Sequence, residues 1–394
     1  MLWYVRDLTF EDQGVEMVKK LCVVLLCSLL LLASCAPRMN DDEEVVQKKN
    51  ETANKEKSIV PSYQLSEETY RMILPYKTSA VRGVILDQMG NRLDIDEMEE
   101  GLRRQSKTVY DPKKYYYQEG QYLDEETVYD LIDGLNPDKD PKDKKGKKER
   151  EKYFRDHPRY LSHILEQNYL TKNDKNAAKL EGISIGLALK SVYKFQAEEG
   201  GPYHYEKISK DEMMKQGEEM AQKVLKKLRG IDELKDVPVL IALYREGEEG
   251  SPVPGNYVAK TAVKAGKSTI DDWDNIKEEH VLFPDDKSAD KYFDDNKLIE
   301  DFGKEIQDFF PNYVGVIGDG FYIDGDLKKL TLEIPIEFYG KGEVIGFTQY
   351  AYGLIKEMFP DYYDIEVKIT ANNEVESVIY RSAGDDDPTV HIFD

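Results

Sequence analysis

The side chains able to do chemistry are unevenly spread along this chain. Its three cysteines, Cys22, Cys27 and Cys35, all lie near the N-terminus, so past Cys35 there is no thiolate nucleophile, no thiolate metal site and no pair to form a disulfide. Five histidines are present, His157, His163, His204, His280 and His391, and none belongs to an HExxH or other close-spaced ligand set. His163 and Glu166 are three apart, a spacing that on a helix could share a metal with His157 nearby. Pro158 breaks that stretch, and surface or capping roles fit it better. Gly318-Asp319-Gly320 lacks the third glycine and following helix of a dinucleotide site and reads as a turn. Asp385-Asp386-Asp387, before Pro388, reads as a solvated acidic run. No GxSxG, P-loop or EF-hand pattern occurs. The sequence nominates no catalytic residue, no metal site and no cofactor, and a carboxylate-based hydrolase is the least supported function.

Aromatic side chains offer a different chemistry. Tyr110 to Tyr122 (YDPKKYYYQEGQY) is rich in tyrosine. Exposed rings at Tyr115, Tyr116 and Tyr117 could stack on sugars or grip a peptide, which makes them the candidate ligand-binding residues. The competing and preferred reading is that the rings pin an irregular segment to its neighbours, because tyrosine commonly buries its ring and leaves its hydroxyl at the surface.

Charge narrows the partners. Fifty-five Lys and Arg stand against 77 Asp and Glu, a formal net charge of -22 over 394 residues. Such a surface repels phosphate backbones and anionic headgroups. The densest basic run, Lys142 to Lys152, is interspersed with acidic residues and reads as a solvated linker, so nucleic acid is excluded as a partner.

The N-terminus has the layout of an export signal. Met17-Val18-Lys19-Lys20 is positively charged, Leu21 to Leu32 is apolar but too short to span a bilayer comfortably, and Leu32-Ala33-Ser34-Cys35 follows directly. That ending resembles the bacterial lipobox. The resemblance implies a diacylglyceryl transferase that loads Cys35, and a lipoprotein signal peptidase that cuts between Ser34 and Cys35. Two acyl chains give a stable anchor, at about 0.8 kcal/mol per buried methylene. The expected location is the extracellular face of the cell membrane. Met1 to Glu16 carry five charged side chains, net acidic, which does not suit an export signal, and Met17 is the expected start.

Periodicity organises the rest into expected segments. Residues 1–35 hold the upstream stretch and signal, and 36–60, with no aromatic residue in Ala36 to Ser58, a flexible tether. A mainly helical region spans 61–175, with short helices from Ser66 to Leu74, Asp96 to Gln105, Asp124 to Leu135 and Arg159 to Tyr169, and a charged linker over 136–152. Two α+β units follow, at 176–290 and 291–394. In the first, strand Ile183 to Leu189 precedes a helix that Ser209 caps, with Met213, Met220, Val224, Leu225 and Leu228 on one face, then strands Val237 to Tyr244 and Tyr257 to Val263. In the second, Leu330 to Phe338 alternates strictly, with Pro335 suggesting an edge or a bulge. A helix from Val344 to Met358 follows, then Ile365 to Ile369 and Val375 to Tyr380 about an Asn372-Asn373 turn. Leu298 to Phe310 supplies a helix between the units. The fold class is α+β: a mainly helical N-terminal region followed by two β-α-β-β units, with helices on one face of largely antiparallel sheets.

Several segments, in order, resemble the CamS family of sex pheromone precursor lipoproteins of Gram-positive bacteria. They are the lipobox, Tyr70-Arg71 with Leu74-Pro75-Tyr76-Lys77, Ala80-Val81-Arg82-Gly83, Tyr117 to Asp124, Tyr160 to Gln167, Ile183 to Leu189, Pro254-Gly255, Gly346 to Tyr350 and Val390-His391-Ile392. The resemblance implies a membrane-anchored, non-enzymatic lipoprotein whose leader releases a hydrophobic heptapeptide, here Ser28 to Ser34. That heptapeptide carries a leucine run where the family's better-known form has Ala-Ile-Phe-Ile-Leu. The alternative is a surface protein that binds an extracellular peptide or a cell-wall glycan.

Overall fold

A computed structural model describes residues 43–48, 55–143, 146–173, 177–310, 313–337 and 340–393. The signal, Ser34 and Cys35 lie outside the described residues. Part of the expected tether is strand: β1 (Glu43–Lys48) pairs antiparallel with β2 (Lys55–Val60). Val60 anchors β2 in a small apolar cluster with Ile73, Tyr116 and Leu170.

The expected mainly helical region turns out to contribute strands β3 (Arg71–Met72), β4 (Tyr116–Glu119) and β5 (Leu161–Lys172), together with helices α1 (Arg82–Gln88), α2 (Arg92–Ser106), α3 (Glu125–Leu135) and α4 (Lys147–Asp156). Three expectations are corrected here. The stretch Ser66 to Leu74 is a turn leading into β3, and the charged linker contains the start of α4. Arg159 to Tyr169 is strand, not helix. Leu161 to Leu170 are buried at every position, so the alternation that marks a half-exposed strand is missing.

β6 (Ala178–Leu189), β7 (Val192–Gln196), β8 (Tyr203–Lys207), α5 (Lys210–Arg229), β9 (Val239–Arg245), β10 (Asn256–Val263) and β11 (Asp274–Asn275) complete the first half. They form a seven-stranded sheet of order β11-β10-β9-β6-β5-β4-β3, with β7 and β8 as a separate hairpin. Helices cover both faces of the large sheet. On one, the α5 stripe of Met213, Met220, Val224, Leu225 and Leu228 packs on Ile183, Ile185, Leu187 and Leu189 of β6 together with Val128 and Ile132 of α3. On the other, Met98 and Leu102 of α2 meet Leu165, Ala188, Ala242 and Tyr257. Helices on one face only were expected; α1 and α2 supply the second layer. Ser209 caps α5, its hydroxyl accepting the Glu212 N–H at 3.2 Å.

The second half contains β12 (Glu278–Phe283), α6 (Asp286–Lys291), α7 (Phe293–Phe309), β13 (Ile317–Ile323), β14 (Asp326–Pro335), α8 (Lys341–Met358), β15 (Asp364–Ala371), β16 (Glu374–Arg381) and β17 (Thr389–Ile392). Its six strands run in the order β12-β13-β14-β15-β16-β17. Leu330, Leu332 and Ile334 of β14 and Ile365, Val367 and Ile369 of β15 pack against Ile299, Phe302 and Ile306 of α7 and Phe347, Ala351 and Ile355 of α8. β14 is an interior strand, not an edge. Pro335 is tolerated because it ends the strand, beyond the last β13 partner at Glu333. Asn372 and Asn373 both take positive φ, 53° and 65°, as a tight primed hairpin turn requires.

The two halves repeat one topology. β6 pairs parallel with β9 and β14 with β15, each joined through a helix, and an antiparallel strand flanks each pair on both sides.

Candidate functional site

A groove of about 540 Å³ lies where the two halves meet. One wall is the Glu248 to Val253 loop between β9 and β10; the other is the outer side of β12 with α6 and Tyr292. The loop is held from beneath. Asp94 of α2 is fully buried, and its carboxylate accepts the N–H groups of Gly255 at 2.6 Å and Gly247 at 3.1 Å and the Tyr244 hydroxyl at 2.7 Å. Burial raises the Asp94 pKa against the pull of those donors. Gly255 is required by this approach, since a Cβ there would overlap the Arg245 carbonyl oxygen.

Beside the groove a polar cluster fastens α2 to the second sheet. Arg104 donates from Nε and Nη2 to the two carboxylate oxygens of Glu278 at 3.0 and 2.9 Å, and from Nη2 to Glu97 at 2.6 Å. Its guanidinium lies 4.4 Å from the Phe321 ring centroid. His280, which also lines the groove, sits 3.0 Å from Asp319 through Nδ1 and 3.5 Å from Glu97 through Nε2. Burial acts to lower the His280 pKa, but the two carboxylates outweigh it and push it up to about 9. For Glu97, burial is likewise outweighed, by His280 and Arg104, and its pKa falls.

A second, smaller cavity of about 20 Å³, room for one water, lies between α1 and the first sheet and is lined by Arg82, Glu99, Tyr117, Glu119 and His163. Burial works to raise the Glu119 pKa, but hydrogen bonds from Tyr76, the Ser79 N–H and Arg82 bring it below its ordinary value. His163 is buried, not a surface residue, and desolvation lowers its pKa to about 3, so it stays neutral. Glu166 is buried too; its carboxylate takes the N–H groups of Gln121, Tyr122 and Leu123 at 2.9, 3.1 and 2.7 Å. With β5 a strand, the helical spacing that suggested a shared metal no longer applies, and His157 stacks on Tyr153 in the open. Among the described residues no group of three or more His, Cys, Asp or Glu is arranged to hold a metal.

The candidate tyrosines are not the exposed platform that sugar or peptide stacking needs. Tyr116 and Tyr117 are buried, at 6% and 2% exposure, and Tyr115 is half-buried with its ring 5.5 Å from that of Tyr110. Tyr117 joins Tyr70, Tyr110 and Tyr169 in an interior cluster, where Tyr110 and Tyr169 stack at 4.5 Å. Tyr110 packs over Gly182, where no side chain would fit, and its hydroxyl bonds the carbonyls of Ile183 and Pro238. Sequence reasoning missed the groove residue His280 and the cluster beside it, Glu97, Arg104, Glu278 and Asp319, which no local spacing connects. Gly318-Asp319-Gly320 is not a turn but lies within β13, where a Cβ at Gly320 would crowd Phe283.

A duplicated β-α-β-β unit and a polar junction flanked by a groove thus define an α+β protein built on two large sheets. The chain belongs to the CamS family: the family described as CamS sex pheromone cAM373 precursor matches residues 76–387. The fold is similar to the sex pheromone precursor from Lactobacillus salivarius subsp. salivarius UCC118, with 29% identity and a TM-score of 0.77 over 84% of this chain and 98% of that one. It is also similar to the C-terminal domain of the sex pheromone staph-cAM373 precursor from Staphylococcus aureus, with 30% identity and a TM-score of 0.66 over 79% and 99%. No curated protein matches the chain.

Proposed function

We propose that this chain is a lipoprotein precursor whose Cys35 is acylated and becomes the first residue of a body held on the outer face of the cell membrane. The observation that carries this is Leu32-Ala33-Ser34-Cys35 directly after an apolar run in a CamS family member. Among the described residues no helix is long and apolar enough to cross a membrane; in this reading the attachment is the pair of acyl chains on Cys35. Diacylglyceryl transferase and signal peptidase act at Cys35, and further cleavage of the leader yields the heptapeptide Ser28 to Ser34. The body is non-enzymatic, a reading supported by the family's description as a precursor.

The test is metabolic labelling with palmitate of cells expressing the wild-type chain and Cys35→Ala. Label and cleavage between Ser34 and Cys35 are expected in the wild type alone. Unlabelled but membrane-retained wild-type protein would refute the anchor, and mass spectrometry of the medium reports whether the Ser28 to Ser34 peptide is released.

A further inference from the structure

The groove has one wall that is ready to pair. β12 is the outermost strand of the second sheet and has β13 on one side only. The Asp324 N–H bonds the Lys277 carbonyl at 2.9 Å, and the register then runs from Glu278↔Ile323 to Phe283↔Gly318 without a shift. In such an antiparallel ladder, hydrogen-bonded and non-hydrogen-bonded pairs alternate. Glu279, Val281 and Phe283 therefore bond to β13, while the N–H and C=O groups of Glu278, His280 and Leu282 point away from it. Among the described residues these groups have no backbone partner. His280 and Leu282 line the groove, so this open edge borders a space rather than packed protein. The outer strands of the first sheet, β3 and β11, are only two residues long.

The groove also has a charge bias. Four carboxylates line it, Glu248, Glu249, Glu279 and Asp285, against Lys287, Lys291 and the protonated His280, whose charge Asp319 and Glu97 already balance, in a chain of net charge -22. The opposite wall is fixed by the buried Asp94, so the groove is formed before any ligand arrives.

We propose that the β12 edge binds an extended, lysine- or arginine-bearing peptide as an added strand, the backbone of His280 and Leu282 supplying the hydrogen bonds and the groove carboxylates selecting the charge. This is independent of the lipid anchor, and a failure of either leaves the other standing.

The soluble body, residues 36–394, is titrated by fluorescence anisotropy with three labelled seven-residue peptides carrying lysine, glutamine or glutamate at alternate positions between threonine and valine. A fully N-methylated lysine peptide keeps every charge and side chain but has no amide N–H to donate. The expected order is lysine over glutamine over glutamate, with N-methylation weakening binding tenfold or more, roughly what two lost hydrogen bonds give. Leu282→Pro removes one outward N–H while keeping the β13 ladder, and should weaken the lysine peptide several-fold at an unchanged thermal midpoint. If that variant does not fold, the N-methylated peptide decides. Equal binding of the N-methylated and parent peptides, no binding of any peptide at millimolar concentration, or a chito-oligosaccharide that competes for the groove more tightly than the lysine peptide would each overturn the proposal.

Discussion

Arg104 and Glu278 lie 174 residues apart and meet in a two-bond clasp that ties the helical layer of the first sheet to the edge strand of the second. Glu278 is almost completely buried and Arg104 about three-quarters so. Desolvating both charges is costly, and the geometry recovers that cost only while both partners are present.

Removing one partner should therefore cost more than removing both. Glu278→Ala is expected to destabilise the protein by roughly 3 kcal/mol in urea unfolding, and Arg104→Met with Glu278→Leu to recover much of the loss. A double variant as unstable as the sum of the single ones would give a coupling energy of zero and would show that neither charge depends on the other.

His280 makes the same junction sensitive to alkali. Its folded pKa of about 9 lies above the unfolded value of about 6.5, so its stabilising contribution is complete below that lower value and disappears as pH rises through 9. The shift corresponds to about 3 kcal/mol at most. The thermal midpoint should fall between pH 7 and 10 in the wild type and more gently in His280→Gln. Parallel slopes for the two proteins would place the titration elsewhere.

Glu246 titrates in the same sense for a different reason. Burial is the main cause that pushes its pKa up to about 7, with Lys190 opposing and Asp94 adding, and Ser162 donates a hydrogen bond to it. The favourable protonated form is present at low pH and is lost as pH rises through 7, leaving a buried charge. Glu246→Gln should gain roughly 2 kcal/mol relative to the wild type at pH 8 compared with pH 5. Chemical denaturation at the two pH values measures it; an equal difference at both would argue that the carboxyl is already ionised.

Asp94 sets the wall of the groove. Asp94→Ala strands the Gly247 and Gly255 N–H groups and the Tyr244 hydroxyl, a loss of roughly 3 kcal/mol. Amide hydrogen exchange at Gly247 and Gly255 should accelerate more than in the β14 and β15 ladder, and Gly255→Ala should reproduce the effect. Exchange that speeds up uniformly would mean a global loss of stability, with no special role at the loop.

The parts of the fold that could be read locally are those with one face in water. β14 and β15 alternate because α7 and α8 cover one side while Thr331, Glu333, Glu366 and Lys368 lie on the other. The Ser209 cap and the Asn372-Asn373 turn were legible because each acts within a few residues. β5 was not, because burial on both faces erases the period of two and leaves a run that fits a helix equally well. The tyrosines were visible as a composition bias, but their burial depends on Tyr70, Tyr110 and Tyr169, brought together from distant segments.

By itself, then, the sequence determined that thiol chemistry is confined to the stretch ending at Cys35, that the surface is acidic, and that two β-α-β-β patterns recur. Tertiary structure alone decided that α2 docks on the second sheet through Arg104, Glu97 and Glu278, and that β12 keeps one edge open beside the Glu248 to Val253 loop. The physical reason is one of range. Composition, caps and periodicity act over a few residues, whereas a buried ion pair or an unpaired edge exists only once segments far apart in the chain have excluded water from one another.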